Sequence, residues 1–150
     1  MILNVRHVGL VVKNLKDSLD FYTKKLSFTV KVQAKEDRTF IDAILGLQSS
    51  ELTTVKLALN NGAMIELLDF KSETSLVTDR QIFDTGPTHI AFTVEDLDRT
   101  YEAFSRDGIE FISEPKVSPN GFAKVAFCIA PEGTYIELVE LLSETVIESK

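Results

Sequence analysis

Four side chains able to hold a cation or move a proton stand in matching phrases of this chain: His7 in HVGLVV, Glu66 in AMIELL, His89 in HIAFTV and Glu137 in TYIELV. His7 and His89 are the only histidines in the sequence. Imidazole nitrogen and carboxylate oxygen together suit zinc, nickel, cobalt, manganese or ferrous iron, and four such ligands leave an octahedral ion two positions for water or substrate oxygens. Without a cation, two glutamates buried close together are unfavourable, because desolvation and like-charge repulsion push at least one of them to take a proton. A single histidine in a strand is ordinarily a hydrogen-bonded structural residue. It is the repetition of the pair that points to a divalent ion.

A duplicated unit must position these residues. HVGLVVKNLKDSLDFYTKKL aligns with HIAFTVEDLDRTYEAFSRDG at an offset of 82, the separation of His7 from His89, and VKLALNNGAMIELLDF aligns with VAFCIAPEGTYIELVEL around an offset of 71, the separation of Glu66 from Glu137. Each half reads as a strand, a helix and further strands. Successive strand residues point to opposite sides, so Val8, Leu10 and Val12 share the face that packs while His7, Gly9 and Val11 share the other. The same alternation sets Glu66 against Ile65 and Leu67, and Glu137 against Ile136 and Leu138.

Asn14 and Asp96 are suited to cap the helices that follow, whose apolar faces are Leu15, Leu19, Tyr22 and Leu26 in the first half and Leu97, Tyr101 and Phe104 in the second. NNG at 60–62 and PEG at 131–133 stand between alternating apolar runs and predict hairpins. Two stretches have no counterpart. Residues 71–86 read as a linker with little periodicity. RTFIDAILGLQSS at 38–50 carries Phe40, Ile41, Ile44, Leu45 and Leu47 at near-helical spacing, either a short helix packed on the core or a flap over a ligand.

Composition excludes several classes. At 150 residues and 44% hydrophobic, the chain suffices for one domain with a core of its own. A net charge of −7 opposes binding to nucleic acid or anionic membrane surfaces. Apolar runs of about five residues are far short of the roughly 20 that a membrane-spanning helix needs. The single cysteine, Cys128 in KVAFCIA, cannot form an internal disulfide and reads as a buried core residue; with no secretory pattern at the start, a reducing cytoplasm is expected. Lysines 13, 16, 24, 25, 31 and 35 read as a solvated face, although a coenzyme A substrate would also use such charges.

On the phrases HVGLVV…FY, AMIELL, HIAFTVEDL and PEGTYIEL, the sequence resembles the vicinal oxygen chelate superfamily, which includes glyoxalase I, methylmalonyl-CoA epimerase, extradiol dioxygenases, and fosfomycin and bleomycin resistance proteins. The similarity covers nearly the whole chain apart from 38–50 and the linker. It implies an α+β fold of two paired βαβββ modules, about 1–70 and 87–142, forming a half-open eight-stranded mixed-sheet cup within one domain over 1–150. It also implies that His7, Glu66, His89 and Glu137 are metal ligands, that Glu137 is the catalytic base and that Glu66 shares the role.

Within that superfamily two histidines with two acids are the glyoxalase-like set. Extradiol dioxygenases and fosfomycin-modifying members use one carboxylate, bleomycin-binding members lack the ligands, and the epimerase commonly has glutamine where Glu66 stands. Val11 and Phe70 occupy the places where bacterial glyoxalase I has an arginine and an asparagine for glutathione. The expected activity is therefore a lyase or isomerase, lactoylglutathione lyase-like, that removes a proton next to a carbonyl of a small carbonyl compound or thiol conjugate with a divalent metal ion as cofactor. The alternatives are an acyl-CoA epimerase and, in another class, a non-catalytic ligand-binding or resistance protein. Met64, Phe70, Phe122 and Tyr135 are candidates for an apolar wall or for plain core. Exposed sheet edges make a homodimer the expected assembly, with ligands drawn from one chain or from two.

Overall fold

A computed structural model of the chain describes residues 1–72 and 79–142. They fall into two compact units, Met1–Val77 and Thr78–Lys150, which match the two halves of the duplication. The first contains β1 (Val8–Val11), α1 (Leu15–Asp20), β2 (Thr29–Lys35), α2 (Arg38–Leu45), β3 (Leu52–Ala58) and β4 (Met64–Phe70). The second contains β5 (His89–Thr93), α3 (Leu97–Arg106), β6 (Lys116–Val117), β7 (Ala123–Ile129) and β8 (Tyr135–Leu141). The expected βαβββ order is present in both, with α2 as an extra helix in the first.

Each unit builds one four-stranded mixed sheet, in the orders β1-β4-β3-β2 and β5-β8-β7-β6. The first strand of each unit runs parallel to the last, and the remaining pairs are antiparallel. A parallel neighbour requires a crossover, and the helix that follows the first strand makes it. Two sheets and three helices give an α+β fold, as expected from the sequence.

Local chemistry explains the boundaries. Asn14 accepts a hydrogen bond from the Asp17 amide and Asp96 from the Arg99 amide, each at the N-terminus of its helix. The predicted hairpins close between Leu59 and Ala63 and between Ala130 and Thr134, where Gly62 (φ 87°) and Gly133 (φ 92°) supply the left-handed backbone that other residues resist. α1 departs from expectation: after Asp20 the chain continues as a π turn over Phe21–Lys25, so Phe21 joins Tyr22 in the core and Leu26 becomes the residue that ends the helix. The Tyr22 ring is fully buried, edge-on to Phe21 and Phe28. In the second unit Leu97 and Phe104 are buried and Tyr101 is half-buried against Phe111, the face the spacing predicted.

The 38–50 stretch forms a helix capped by Asp37 and ended at Gly46, but only its Ile41 is buried. Phe40, Ile44 and Leu45 are exposed, so of the two alternatives the sequence left open, core packing holds for Ile41 and not for these three. The linker over 71–86 lies partly outside the described residues; within it, residues 81–84 form a turn in which the Gln81 amide donates to Asp84 Oδ2. Among the described residues no helix is long and apolar enough to cross a membrane.

Candidate functional site

The alternation read from the sequence holds in both last strands. Ile65 and Leu67 are buried on the helix side of β4, and Ile136 and Leu138 on that of β8, so Glu66 and Glu137 emerge on the opposite faces. Neighbouring strands bring partners to those faces. Glu66 pairs in register with Gly9 of β1 and Lys56 of β3; Glu137 pairs with Ala91 of β5 and Phe127 of β7. On the first-strand side of each carboxylate the register partner is a small residue, Gly9 for Glu66 and Ala91 for Glu137. A Cβ on Gly9 would already stand 3.3 Å from Leu68 Cδ1.

Two residues before Gly9 and Ala91 on the same strand faces come the histidines. His7 lies just ahead of β1 and His89 opens β5. His7 Nε2 stands 3.9 Å from Glu66 Oε1, and His89 Nε2 stands 3.5 Å from Glu137 Oε2. Both separations exceed hydrogen-bond range. Two ligand atoms each about 2.1 Å from one ion lie about 3.0–3.4 Å apart at right-angle to tetrahedral geometry, so small adjustments would let either pair share a cation.

His7 is the more telling of the two. Its Nδ1 is buried without a hydrogen-bond partner, and among the described residues Nε2 makes no hydrogen bond either. A structural histidine would be satisfied by its neighbours. Nδ1 of His89, in contrast, lies 3.4 Å from the Thr88 hydroxyl, and its ring meets Phe127 edge-on. The donor set thus fits a borderline divalent ion, whereas the outer hydrogen bond that usually orients a ligating imidazole is missing at His7.

The structure therefore brings His7 to Glu66 and His89 to Glu137. Within either module, among the described residues, no third His, Cys, Asp or Glu joins the pair. Met64 and Phe70 share the strand face of Glu66, and Tyr135 that of Glu137, all three half-buried; Phe122 lies outside the strands and is exposed, so it is neither core nor part of those faces. Val11, at the place of the glutathione-holding arginine, is exposed.

Sequence reasoning missed Lys56. Its ammonium is 3.7 Å from Glu66 Oε2, on the side of the carboxylate away from His7. The signal was available, since Lys56 interrupts the apolar run VKLAL and falls on Phe127 at the offset of 71 that relates the two glutamates. Cys128 is fully buried on the helix side of β7, and burial pushes its thiol up to about 12. It is a core residue, as expected.

Two modules of the same strand order, each carrying a histidine and a glutamate on the face its helix leaves free, define the vicinal oxygen chelate class. The model of the Glyoxalase/Bleomycin resistance protein/Dioxygenase superfamily matches residues 4–138, and the chain belongs to that family. It is 26% identical to the uncharacterised protein YwkD of Bacillus subtilis over 93% of this chain and 98% of that protein. It is also 26% identical to a lactoylglutathione lyase of Pseudomonas aeruginosa, over 89% of this chain and 80% of the relative. Among solved structures, a glyoxalase family protein from Bacillus cereus superposes with a TM-score of 0.86 at 23% identity, covering 95% of this chain and 97% of that one.

Proposed function

We propose that this protein is a metal-dependent lyase or isomerase of glyoxalase-like type, with His7, Glu66, His89 and Glu137 as ligands to a divalent cation. The observation that carries the reading is the repeated pair: an imidazole Nε2 3.9 Å from a carboxylate in one module and 3.5 Å in the other, on matching strands. The likeness to a lactoylglutathione lyase supports the same chemistry. A divalent ion bound there would polarise a carbonyl oxygen and acidify the adjacent carbon.

The chain's own part is to take and return that proton. Glu137 is the better placed base. Its Oε2 faces His89, and among the described residues its Oε1 has no partner. Each oxygen of Glu66 instead faces a basic side chain beyond hydrogen-bond range, Oε1 that of His7 at 3.9 Å and Oε2 that of Lys56 at 3.7 Å. As the C–H bond breaks, an O–H bond forms on Glu137, which then delivers the proton to the same or the neighbouring carbon. With Val11 and Phe70 where glutathione would be gripped, the substrate is a small carbonyl compound or a different thiol conjugate.

Solvent deuterium exchange tests this on α-hydroxythiohemiacetals beside 2-methyl-branched acyl thioesters, with nickel, cobalt, manganese and zinc each added. Label is expected to enter the first class with at least one metal. Label in the acyl thioesters alone assigns an epimerase instead. No exchange with any metal, together with ligand capture by metal-free protein, assigns a binding protein.

A further inference from the structure

The duplication supplies an internal control for every residue near the two glutamates. Opposite Glu137 on β7 stands Phe127, whose ring packs edge-on to His89 with centroids 5.6 Å apart. Opposite Glu66 on β3, in the same register, stands Lys56. One module thus backs its histidine–carboxylate pair with an aromatic ring and the other with a fixed cation.

Lys56 is not consumed by that position. Its side chain is 31% exposed, and Nζ lies 3.7 Å from Glu66 Oε2, too far for a hydrogen bond. Among the described residues the ammonium donates no hydrogen bond, so its three donors are available to an incoming acceptor. Charge points the same way. Alone, Lys56 and Glu66 cancel; once a divalent cation draws on Glu66, the ammonium faces a like charge and loses its counter-charge. An anionic group arriving beside Glu66 removes that excess.

We infer that Lys56 is a specificity-determining residue that binds a carboxylate carried by the substrate, so that the site prefers a short carbonyl acid to its uncharged counterpart. The inference takes from the proposed function that the substrate approaches the His7–Glu66 pair. The position of Lys56 on the carboxylate's outer oxygen puts the bound anion on the β3 side, next to the carbonyl being activated. An aromatic residue there, as in the second module, would offer no such preference.

Pyruvate and methyl pyruvate are the probes, identical in the ketone and different in charge. Binding of each is measured by calorimetric titration to the intact protein, metal-free and loaded with manganese, for wild type, Lys56→Met and Lys56→Gln, with circular dichroism and metal content recorded for each variant. Wild type is expected to bind pyruvate at least tenfold more tightly than the ester. Both variants are expected to bring that ratio within about twofold of unity while keeping fold and metal. A ratio that survives removal of Lys56, or a wild type that binds both probes equally or neither, overturns the inference. A protein that takes up no metal overturns the proposed function instead, and the ratio is then decided on the metal-free protein alone.

Discussion

The imidazole of His89 and the ring of Phe127 meet edge-on, inclined at 71° with centroids 5.6 Å apart. Phe127 is also the β7 residue in register with Glu137, so one aromatic side chain fixes the ring plane of the histidine whose Nε2 points at that carboxylate. If His89 ligates an ion as proposed, holding its ring in this way lowers the entropy lost on binding.

Removing that ring is therefore expected to act on both stability and metal affinity. Phe127→Ala should lower unfolding free energy by about 1–3 kcal/mol, less than for a fully buried ring because Phe127 is only half-buried. It should also weaken metal binding by roughly tenfold or more. Urea titration and calorimetric metal titration read the two effects separately. Lost stability with unchanged affinity would remove the positioning role.

The two glutamates should not be equivalent. Glu137→Gln is expected to slow proton exchange by roughly 10²–10⁴-fold, the range for loss of a general base, whereas Glu66→Gln should chiefly reduce metal content. Rates of deuterium entry normalised to bound metal distinguish them. Equal losses from both changes would contradict Glu137 as the base.

Metal should stabilise the fold if it binds the native pairs. At a free ion concentration a hundredfold above its Kd, unfolding free energy is expected to rise by about 2.7 kcal/mol, and a chelator should reverse it. His89→Ala should abolish the increment. Thermal melts with and without manganese or nickel provide the measurement.

Cys128 predicts behaviour at alkaline pH. Burial pushes its thiol up to about 12, against about 8.5 for an exposed cysteine. Between those values the unfolded chain has lost the proton and the folded chain still holds it. Its contribution to stability is thus fully present below pH about 8.5 and falls as pH rises towards 12. Cys128→Val should show a shallower loss of melting temperature over that window than the parent, and the native thiol should resist alkylation at pH 8 until the protein is unfolded. Rapid native-state labelling would contradict the burial.

Leu67 and Leu138 follow the two glutamates and are both fully buried. Changing either to alanine is expected to cost about 2–5 kcal/mol, with little direct effect on metal binding. Parallel urea and metal titrations would expose any coupling.

Much of this arrangement was legible in the chain. Asn14 and Asp96 cap helices because a short polar side chain can reach the amide three residues on, a contact that depends on nothing distant. Glu66 and Glu137 turn away from the packed face because side chains in a strand alternate, and the apolar residues on either side of each glutamate decide which face is buried. That His7, Glu66, His89 and Glu137 belong together was legible from the duplication; that His7 stands beside Glu66 and His89 beside Glu137 came from the structure.

Other features depend on contacts between segments. The π turn that places Phe21 in the core and the exposure of Phe40, Ile44 and Leu45 were not legible from spacing; periodicity reports a preferred face and cannot report whether anything covers it. The opposition of Lys56 to Glu66 and of Phe127 to Glu137 is set by hairpin register. Thus the residues able to do chemistry, and the faces they occupy, were determined by the sequence through local geometry. Which side chain backs each carboxylate, and how far each imidazole stands from it, was decided only by the tertiary structure, because distances across a sheet depend on how separated strands align.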